Sequence, residues 1–164
     1  MKKLDLIIRR ANSSDTENIY HILFKAFKPY KKYYTNEAYK ATVISTDEIE
    51  KRINNPEINI LVTLLNNRIV GTASILEKNH NNLYISTMAV NPQYQKKGIG
   101  YQLLEYISNF AREKNLHQLS LESYKPLKSA IRLYEKYGFK KTGKKRYYYD
   151  IEIFEMIIYI NNIH

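Results

Sequence analysis

Apolar residues recur in steps of three and four in three parts of the chain. The three series span residues 19–27, 99–114 and 130–137. Each series predicts an amphipathic helix with one apolar face turned toward a core. We expect the first helix to begin at a capping box, Ser14 to Glu17, and to end before Pro29. We expect the last helix to begin at Pro126 and to end at Gly138 as a left-handed C-terminal cap.

Two shorter helices are expected between the first series and the next apolar segment. One passes through Glu37 and Tyr39, and the other covers about Asp47 to Ile53. The remaining apolar segments are short and bounded by turn residues, which is typical of strands. They cover residues 6–10, 58–65, 69–76, 83–90 and 116–123, with two more between 144 and 160 that separate near Asp150. The sequence therefore predicts a mixed α/β fold.

The turn between the second and third strands is the clearest hairpin in the pattern. Asn66 and Asn67 stand between two apolar runs, and asparagine tolerates the positive φ that a two-residue hairpin turn requires. We therefore expect residues 58–76 to form an antiparallel pair. The strand over residues 83–90 extends this pair into a meander.

The composition supports one globular domain over residues 1–164. The chain is 44% hydrophobic and contains no cysteine, which excludes disulfides, cysteine-ligated metals and a thiol nucleophile. We expect no metal site, because the histidines lack the spacing of metal ligands. All four are expected at the surface: His21, His80, His117 and His164.

The formal charge of +10 comes from basic residues spread along the whole chain. This dispersion favours an ordinary solvated basic surface, and it leaves open a polyanionic partner, because dispersed charge alone attracts polyanions. Nucleic acid is the less favoured partner. The sequence offers no window of 18 uncharged apolar residues and no signal-peptide pattern. We therefore expect a soluble cytoplasmic protein with no membrane partner, as a monomer or a homodimer.

A loop between a strand and a helix carries the most informative residues. It reads Gln95-Lys96-Lys97-Gly98-Ile99-Gly100. Glycines let a backbone approach a ligand closely, and the first amides of a helix attract anions such as phosphate. A P-loop is excluded because Tyr101 follows the last glycine, and a dinucleotide fingerprint is excluded because Leu103 occupies the place of its third glycine.

Two separated motifs resemble those of the GNAT acetyltransferase family. The first is Met88-Ala89-Val90-Asn91-Pro92 followed by Gln95-x-x-Gly98-x-Gly100, and the second runs from Ala130 through Tyr134-Glu135-Lys136-Tyr137-Gly138-Phe139. The resemblance implies the GNAT acyl-CoA N-acyltransferase fold, a central and mostly antiparallel sheet with helices on both faces. It also implies acetyl-CoA as co-substrate and transfer of an acetyl group to an amine.

The resemblance also assigns roles to residues. The backbone of Met88, Ala89 and Val90 would pair with the pantetheine arm of acetyl-CoA, and the amides from Gln95 to Gly100 would hold its pyrophosphate. Tyr134 would protonate the departing CoA thiolate, because a phenol stays protonated at neutral pH. The alternative is a core tyrosine on the apolar face of the helix. The acceptor site would lie in the first helical block, at Tyr30, Tyr33, Tyr34, Glu37 and Tyr39.

The sequence departs from the family pattern at two positions. Leu127 stands where many members have an asparagine that contacts the cofactor, and Tyr84 stands where some members have a glutamate base. Glu122 and Glu77 are the nearest acidic candidates for a base. Three functions stay open: an N-acetyltransferase for a small-molecule or peptide amine, a non-catalytic module that binds CoA or acyl-CoA, and a basic protein associated with ribosomes or nucleic acid.

Overall fold

The computed structural model describes residues 2–160, which form seven strands and five α-helices. The strands are β1 (Ile7–Arg10), β2 (Ile58–Leu65), β3 (Arg68–Glu77), β4 (Asn82–Val90), β5 (Gln118–Tyr124), β6 (Lys140–Tyr148) and β7 (Ile151–Tyr159). The helices are α1 (Thr16–Phe27), α2 (Asn36–Thr42), α3 (Thr46–Ile53), α4 (Ile99–Glu113) and α5 (Lys128–Tyr137). This element order confirms the predicted mixed α/β fold.

All seven strands belong to one sheet with the order β1-β2-β3-β4-β5-β7-β6. Every neighbouring pair is antiparallel except β4 and β5, which run parallel. The predicted hairpin between β2 and β3 is confirmed, because Asn66 and Asn67 have φ of 50° and 62°. The single parallel contact is possible because α4 connects β4 to β5 as a crossover.

Alternating side chains along β2 divide the molecule into two hydrophobic layers. Ile60 and Val62 pack with α1 and α3 on one face of the sheet, whereas Leu61 packs with α4 and α5 on the other. Leu103, Leu104 and Ile107 of α4 and Met156 of β7 form the centre of the second layer and are fully buried. Helices thus cover both faces, as the resemblance implies.

The pairing of β4 with β5 ends halfway along both strands. It covers Asn82 to Ile85 on β4 and Gln118 to Leu121 on β5. At the same point β4 carries an extra residue, Ser86, because Ile85 pairs with Ile75 while Thr87 pairs with Ser74. A β-bulge bends its strand and increases the local twist. From the bulge onward the two strands diverge without a strand between them.

The prediction of a capping box from Ser14 to Glu17 is wrong, because the box is formed by Asn12 and Asp15. The residues that satisfy each other are Asn12, whose side chain accepts from the Ser14 amide at 3.0 Å, and Asp15, whose carboxylate accepts from the Asn12 amide at 2.8 Å. The Asp15 carboxylate also receives two hydrogen bonds from Arg9, at 2.7 and 3.0 Å. This contact with β1 ties the carboxylate to a short 3-10 turn, so that α1 begins only at Thr16.

Two further boundaries differ from the prediction. Pro126 lies in a turn, in which the Leu127 amide donates to the Tyr124 carbonyl at 2.9 Å, and α5 begins at Lys128. Strand β6 begins at Lys140 and not at residue 144, because it continues across an irregular stretch that contains Gly143. Gly138 ends α5 with a positive φ of 120°, as predicted.

Candidate active site

The divergence of β4 and β5 opens a cleft of about 900 Å³. Its walls come from the second half of β4, the loop over residues 94–98, the start of α4, the end of β5 and α5. Residues of the segment before α2, of α3 and of the β6–β7 hairpin close its other end. The cleft therefore joins parts of the chain that are distant in sequence.

One wall of the cleft is a strand edge without a strand partner. Met88 and Ala89 pair with Ala73 and Thr72 of β3 on one side, and within residues 2–160 no strand pairs with them on the other. Backbone groups that face away from β3 are therefore available to a ligand. Ligands with amide groups can add to such an edge as another strand would.

The loop before α4 has the geometry of an anion site. Gly98 has φ 81°, and it precedes the first turn of α4 without a side chain that caps the free amides. Lys96 also has a positive φ, 61°, so the loop turns sharply just before the helix. Gln95 holds the loop against β4 by donating from its side-chain amide to the Val90 carbonyl at 2.9 Å. Ile99 and Gly100 line the cleft, and their amides belong to the first turn of α4, where a helix has no internal acceptor for them and its dipole favours an anion.

Gly100 has a second role that the sequence did not suggest. A Cβ at this position would lie 2.6 Å from Cδ2 of Leu133 and 3.4 Å from Cε of Met88. The absence of a side chain therefore lets the first turn of α4 approach α5 and β4 closely. This contact fixes the loop relative to the strand edge.

Tyr134 reaches the cleft from α5 while its ring belongs to the core. The residue is 8% exposed, and its ring packs edge-on against Phe139 with centroids 5.8 Å apart. Within residues 2–160 nothing hydrogen-bonds to its hydroxyl, although the residue lines the cleft. Burial raises the pKa of Tyr134 to about 12. Its hydroxyl is therefore a protonated donor at neutral pH.

Glu122 lines the cleft but is already engaged on both oxygens. Arg146 donates to it from Nε at 2.6 Å and from Nη2 at 2.9 Å, and the Tyr84 hydroxyl donates at 2.9 Å. Partial burial acts to raise the pKa of Glu122, but the hydrogen bonds from Arg146 and Tyr84 outweigh it, and the net pKa is lowered. A carboxylate so stabilised is a weak proton acceptor.

The remaining predicted site residues divide between the cleft and the surface. Tyr30 and Tyr34 line the cleft. Tyr33, which is 46% exposed, contributes only a backbone carbonyl that accepts a hydrogen bond from the Tyr124 hydroxyl. Glu37 and Glu77 are exposed and do not line the cleft. Glu77 lies at the end of β3 beside Leu83, away from the point where β4 and β5 diverge.

Several cleft residues were not found from the sequence. They are Phe27, Arg52, Tyr84, Tyr124, Arg146 and Tyr148. Tyr124 stacks edge-on against Tyr34 with ring centroids 5.2 Å apart, and these rings pack with Tyr148 around Ala38 and Ile151. The aromatic and basic run from Arg146 to Tyr149 was the one sequence feature that could have drawn attention to this wall.

No histidine among residues 2–160 lines the cleft. His21, His80 and His117 are exposed, as predicted, and His164 lies outside the described residues. Among residues 2–160 no group of three or more histidine, aspartate or glutamate side chains is placed to hold a metal ion. In the same part of the chain no helix is long and apolar enough to cross a membrane.

Solved structures with the same fold bind CoA in some cases. An N-acetyltransferase from Thermoplasma acidophilum in complex with coenzyme A superimposes with a TM-score of 0.78 at 19% identity, over 93% of this chain and 98% of that one. The ribosomal-protein-S18-alanine N-acetyltransferase of Escherichia coli gives a TM-score of 0.76 at 21% identity, over 97% and 96%. At these identities the likeness establishes the fold.

Curated relatives match shorter stretches of sequence. A probable N-acetyltransferase of Mus musculus, family 8 member 5, is 35% identical over 77 residues, which is 47% of this chain and 33% of that protein. The ribosomal protein bS18-alanine N-acetyltransferase of Escherichia coli is 37% identical over 62 residues, 38% and 42% of the two chains. These matches thus span less than half of either relative.

A family model matches a longer stretch of the sequence than the two relatives above. The model of the acetyltransferase (GNAT) family covers residues 16–139. That range contains β4, the loop before α4 and Tyr134, which all line the cleft. The chain belongs to the GNAT acetyltransferase family.

Proposed function

We propose that this protein is an acetyl-CoA-dependent N-acetyltransferase that acts on a primary amine of a small molecule or peptide. The observation that carries the proposal is the presence, in one cleft, of a free strand edge, an uncapped helix N-terminus and a protonated buried tyrosine. Each of these features matches one part of a thioester cofactor and its reaction. The relatives named above are N-acetyltransferases, which supports the same activity here.

The cofactor half of the cleft fits acetyl-CoA. The edge at Met88 to Val90 suits the amides of the pantetheine arm, apart from the Val90 carbonyl, which already accepts from the Gln95 side chain. The amides from Gln95 to Gly100 suit the pyrophosphate. Lys96 and Lys97 add positive charge beside that anion position. Leu127 lines this half of the cleft and offers no polar contact where many family members have an asparagine.

Tyr134 is the proposed general acid. When the amine displaces CoA, the sulfur leaves with the electron pair of the C–S bond and needs a proton. A hydroxyl that is protonated and has no other hydrogen-bond partner among residues 2–160 can supply it. The amine attacks the thioester directly in a ternary complex, because the chain has no cysteine to carry the acetyl group.

The base for the amine is not a free carboxylate in this cleft. Glu77 lies outside it, and Glu122 has both oxygens occupied and a lowered pKa. We therefore propose that the amine loses its proton to solvent before attack. Positive side chains around the cleft favour the neutral amine over the ammonium ion, because like charges raise the energy of the charged form.

A screen of primary amines with acetyl-CoA tests this function, with free CoA as the readout and an incubation without amine as the control. Initial rates with both substrates varied should give intersecting lines, which direct attack requires. Parallel lines would contradict direct attack. If acetyl-CoA raises the melting temperature but no amine is acetylated, the non-catalytic CoA-binding alternative is correct instead.

A peptide amine is one of the two acceptor classes within this proposal. One relative is named for acetylating an alanine of ribosomal protein bS18, and another, from Mycobacterium tuberculosis, is named an N-alpha-acetyltransferase. Strand β6 supports a polyanionic neighbour for such a substrate, because it is an edge strand whose lysines at 140, 141, 144 and 145 are all exposed. The screen therefore includes peptides with free N-termini.

A further inference from the structure

The charged groups of the cleft are strongly biased toward bases. The basic side chains in its lining are Lys2, Lys3, Arg52, Lys96, Lys97, Arg132, Lys136 and Arg146, and the acidic ones are Glu105 and Glu122. Glu105 lies 3.9 Å from the Lys3 ammonium, and Glu122 lies 2.6 Å from Arg146. Both carboxylates in the lining are thus already paired.

Most of these bases lie on the side of the cleft that fits the cofactor. Lys96 and Lys97 precede α4, and Arg132 and Lys136 belong to α5. Phosphate groups of CoA give these residues a counter-charge. Arg52 and Arg146 are different, because they come from α3 and β6, which close the opposite end of the cleft.

Both arginines flank the same aromatic wall. The Arg146 guanidinium lies 5.6 Å from the centroid of the Tyr148 ring, and Arg52 lines the cleft together with the same ring. Tyr148 packs with Tyr34 and Tyr124. The acceptor end of the cleft therefore combines aromatic faces with two guanidinium groups.

Each guanidinium keeps donors that the protein does not use. Arg52 donates from Nε to Glu48 at 3.1 Å, and Arg146 donates from Nε and Nη2 to Glu122. Within residues 2–160 nothing accepts from Nη1 and Nη2 of Arg52 or from Nη1 of Arg146. The side chain of Arg52 is 28% exposed and lines the cleft, so these donors are available to a ligand that enters it.

We infer that the acceptor amine carries an anionic group, a carboxylate or phosphate, that binds Arg52 and Arg146 beside the Tyr148 wall. This inference rests on the proposed function. Guanidinium groups bind carboxylates and phosphates with two parallel hydrogen bonds, and the acceptor end has no free carboxylate that would bind a second ammonium instead. Polyamines are thus poor acceptors, and amino acids or peptides with an acidic residue next to the amine are good ones.

The experiment compares acceptors that differ only in the anion. Phenylalanine, phenylalaninamide and 2-phenylethylamine share the ring and the amine, and peptides that begin with or without an acidic residue distinguish a peptide source from a free amino acid. We expect kcat/KM to be at least about tenfold higher for the acceptors with a carboxylate, as a charge-assisted hydrogen bond implies.

Arg52→Gln should raise KM for the anionic acceptor about tenfold or more, so that the ratio of kcat/KM for phenylalanine to kcat/KM for 2-phenylethylamine falls by about the same factor. Arg52→Lys should restore part of this ratio. Arg68→Gln is the matched control, because Arg68 is exposed in the β2–β3 hairpin and outside the cleft. Acetyl-CoA should stabilise all variants equally, which separates acceptor binding from cofactor binding.

The inference is overturned if spermidine or the amines without a carboxylate reach the same kcat/KM as the acceptors with a carboxylate. It is also overturned if Arg52→Gln lowers kcat/KM for all acceptors by the same factor. In both cases the proposed acetyltransferase activity would still stand. If no amine in the panel is acetylated, the proposed function fails and the inference fails with it.

Discussion

Two titratable residues of the cleft, Tyr134 and Glu122, have pKa values that their surroundings shift in opposite directions. Tyr134 is buried without a hydrogen-bond partner among residues 2–160, and burial raises its pKa to about 12. Glu122 is held by Arg146 and Tyr84, and its pKa is lowered. The tyrosine therefore stays protonated at neutral pH, so that its hydroxyl can donate to the sulfur as CoA departs. The carboxylate stays ionised and keeps Arg146 in place.

Tyr134→Phe tests the proposed acid, because it removes the hydroxyl and keeps the ring against Phe139. We expect kcat to fall by about 10²–10⁴-fold, while acetyl-CoA binding changes little, since proton transfer belongs to the transition state. Tyr137→Phe is the matched control on the same helix. Its hydroxyl bonds to Ser108 at 2.7 Å, outside the cleft, so this variant should lose about 1 kcal/mol of stability and keep its kcat. A Tyr134→Phe enzyme within threefold of the wild type would assign this tyrosine to the core alone.

The β4–α4 loop is one element, in which the turn at Lys96 and Gly98 leads directly into the first turn of α4. Gly98→Glu places a side chain and a negative charge where the pyrophosphate would lie. We expect this variant to lose the rise in melting temperature that acetyl-CoA gives to the wild type, a rise that follows from binding to the folded state only. Thermal unfolding with and without millimolar acetyl-CoA measures it.

Gly143→Glu separates backbone strain from ligand binding in this experiment. Gly143 also has a positive φ, 87°, and a Cβ there would meet no atom within 4 Å. Both variants therefore introduce the same residue at a strained position, but only one lies in the cleft. A Gly98→Glu protein that is folded and still stabilised by acetyl-CoA would refute the anion role of the loop.

The elements themselves were largely predictable, because each depends on a local pattern. The steps of three and four predicted α1, α4 and α5, and Asn66-Asn67 predicted the β2–β3 turn. The start of α1 was not predictable in the same way. Its position depends on the Asp15 carboxylate bonding to Arg9 of β1, a tertiary contact that no local spacing contains.

The residues of the candidate site were predictable only where they lie in a local motif. The loop and Tyr134 lie in motifs and were predicted as site residues, whereas Arg52 and Tyr148 reach the cleft through the packing of α3 and β6 around it. Tyr84, Glu122 and Arg146 are separated by 38 and 24 positions. Their contact follows from the order of strands in the sheet, and the sequence alone did not determine that order.

At the scale of the whole molecule, three carboxylates among residues 2–160 with lowered pKa values link stability to pH: Asp15, Glu50 and Glu122. Hydrogen bonds from Arg9 lower the pKa of Asp15 against the opposing effect of burial, and Glu122 is lowered by its own arginine. A group whose pKa is lower in the folded state stabilises the protein above the pKa of the unfolded chain, about 4 for these groups, and this contribution is lost as the pH falls through the folded pKa. The free energy of unfolding should therefore be constant near neutral pH and decrease when the pH is lowered past about 4.

Asp15→Asn should lower the free energy of unfolding at pH 7 by about 1.5–3 kcal/mol, since a charged hydrogen bond to Arg9 is lost, and it should flatten the decline in acid. Urea unfolding at a series of pH values measures both effects. Asp5→Asn, at an exposed position, is the control and should leave the curve unchanged. An Asp15→Asn protein with wild-type stability at pH 7 would contradict this account of the cap.

The divergence of β4 and β5 also bears on which partners can reach the free strand edge. A strand edge with free backbone groups usually invites pairing with another chain and leads to aggregation. Here the free stretch from Ser86 to Val90 lies in the interior of a seven-stranded sheet, between β3 and the end of β5. A strand from another molecule would have to enter lengthwise between two walls, while a thin, flexible ligand needs far less room. The open strand edge is therefore accessible to a thin, flexible ligand and sterically inaccessible to a strand of another protein.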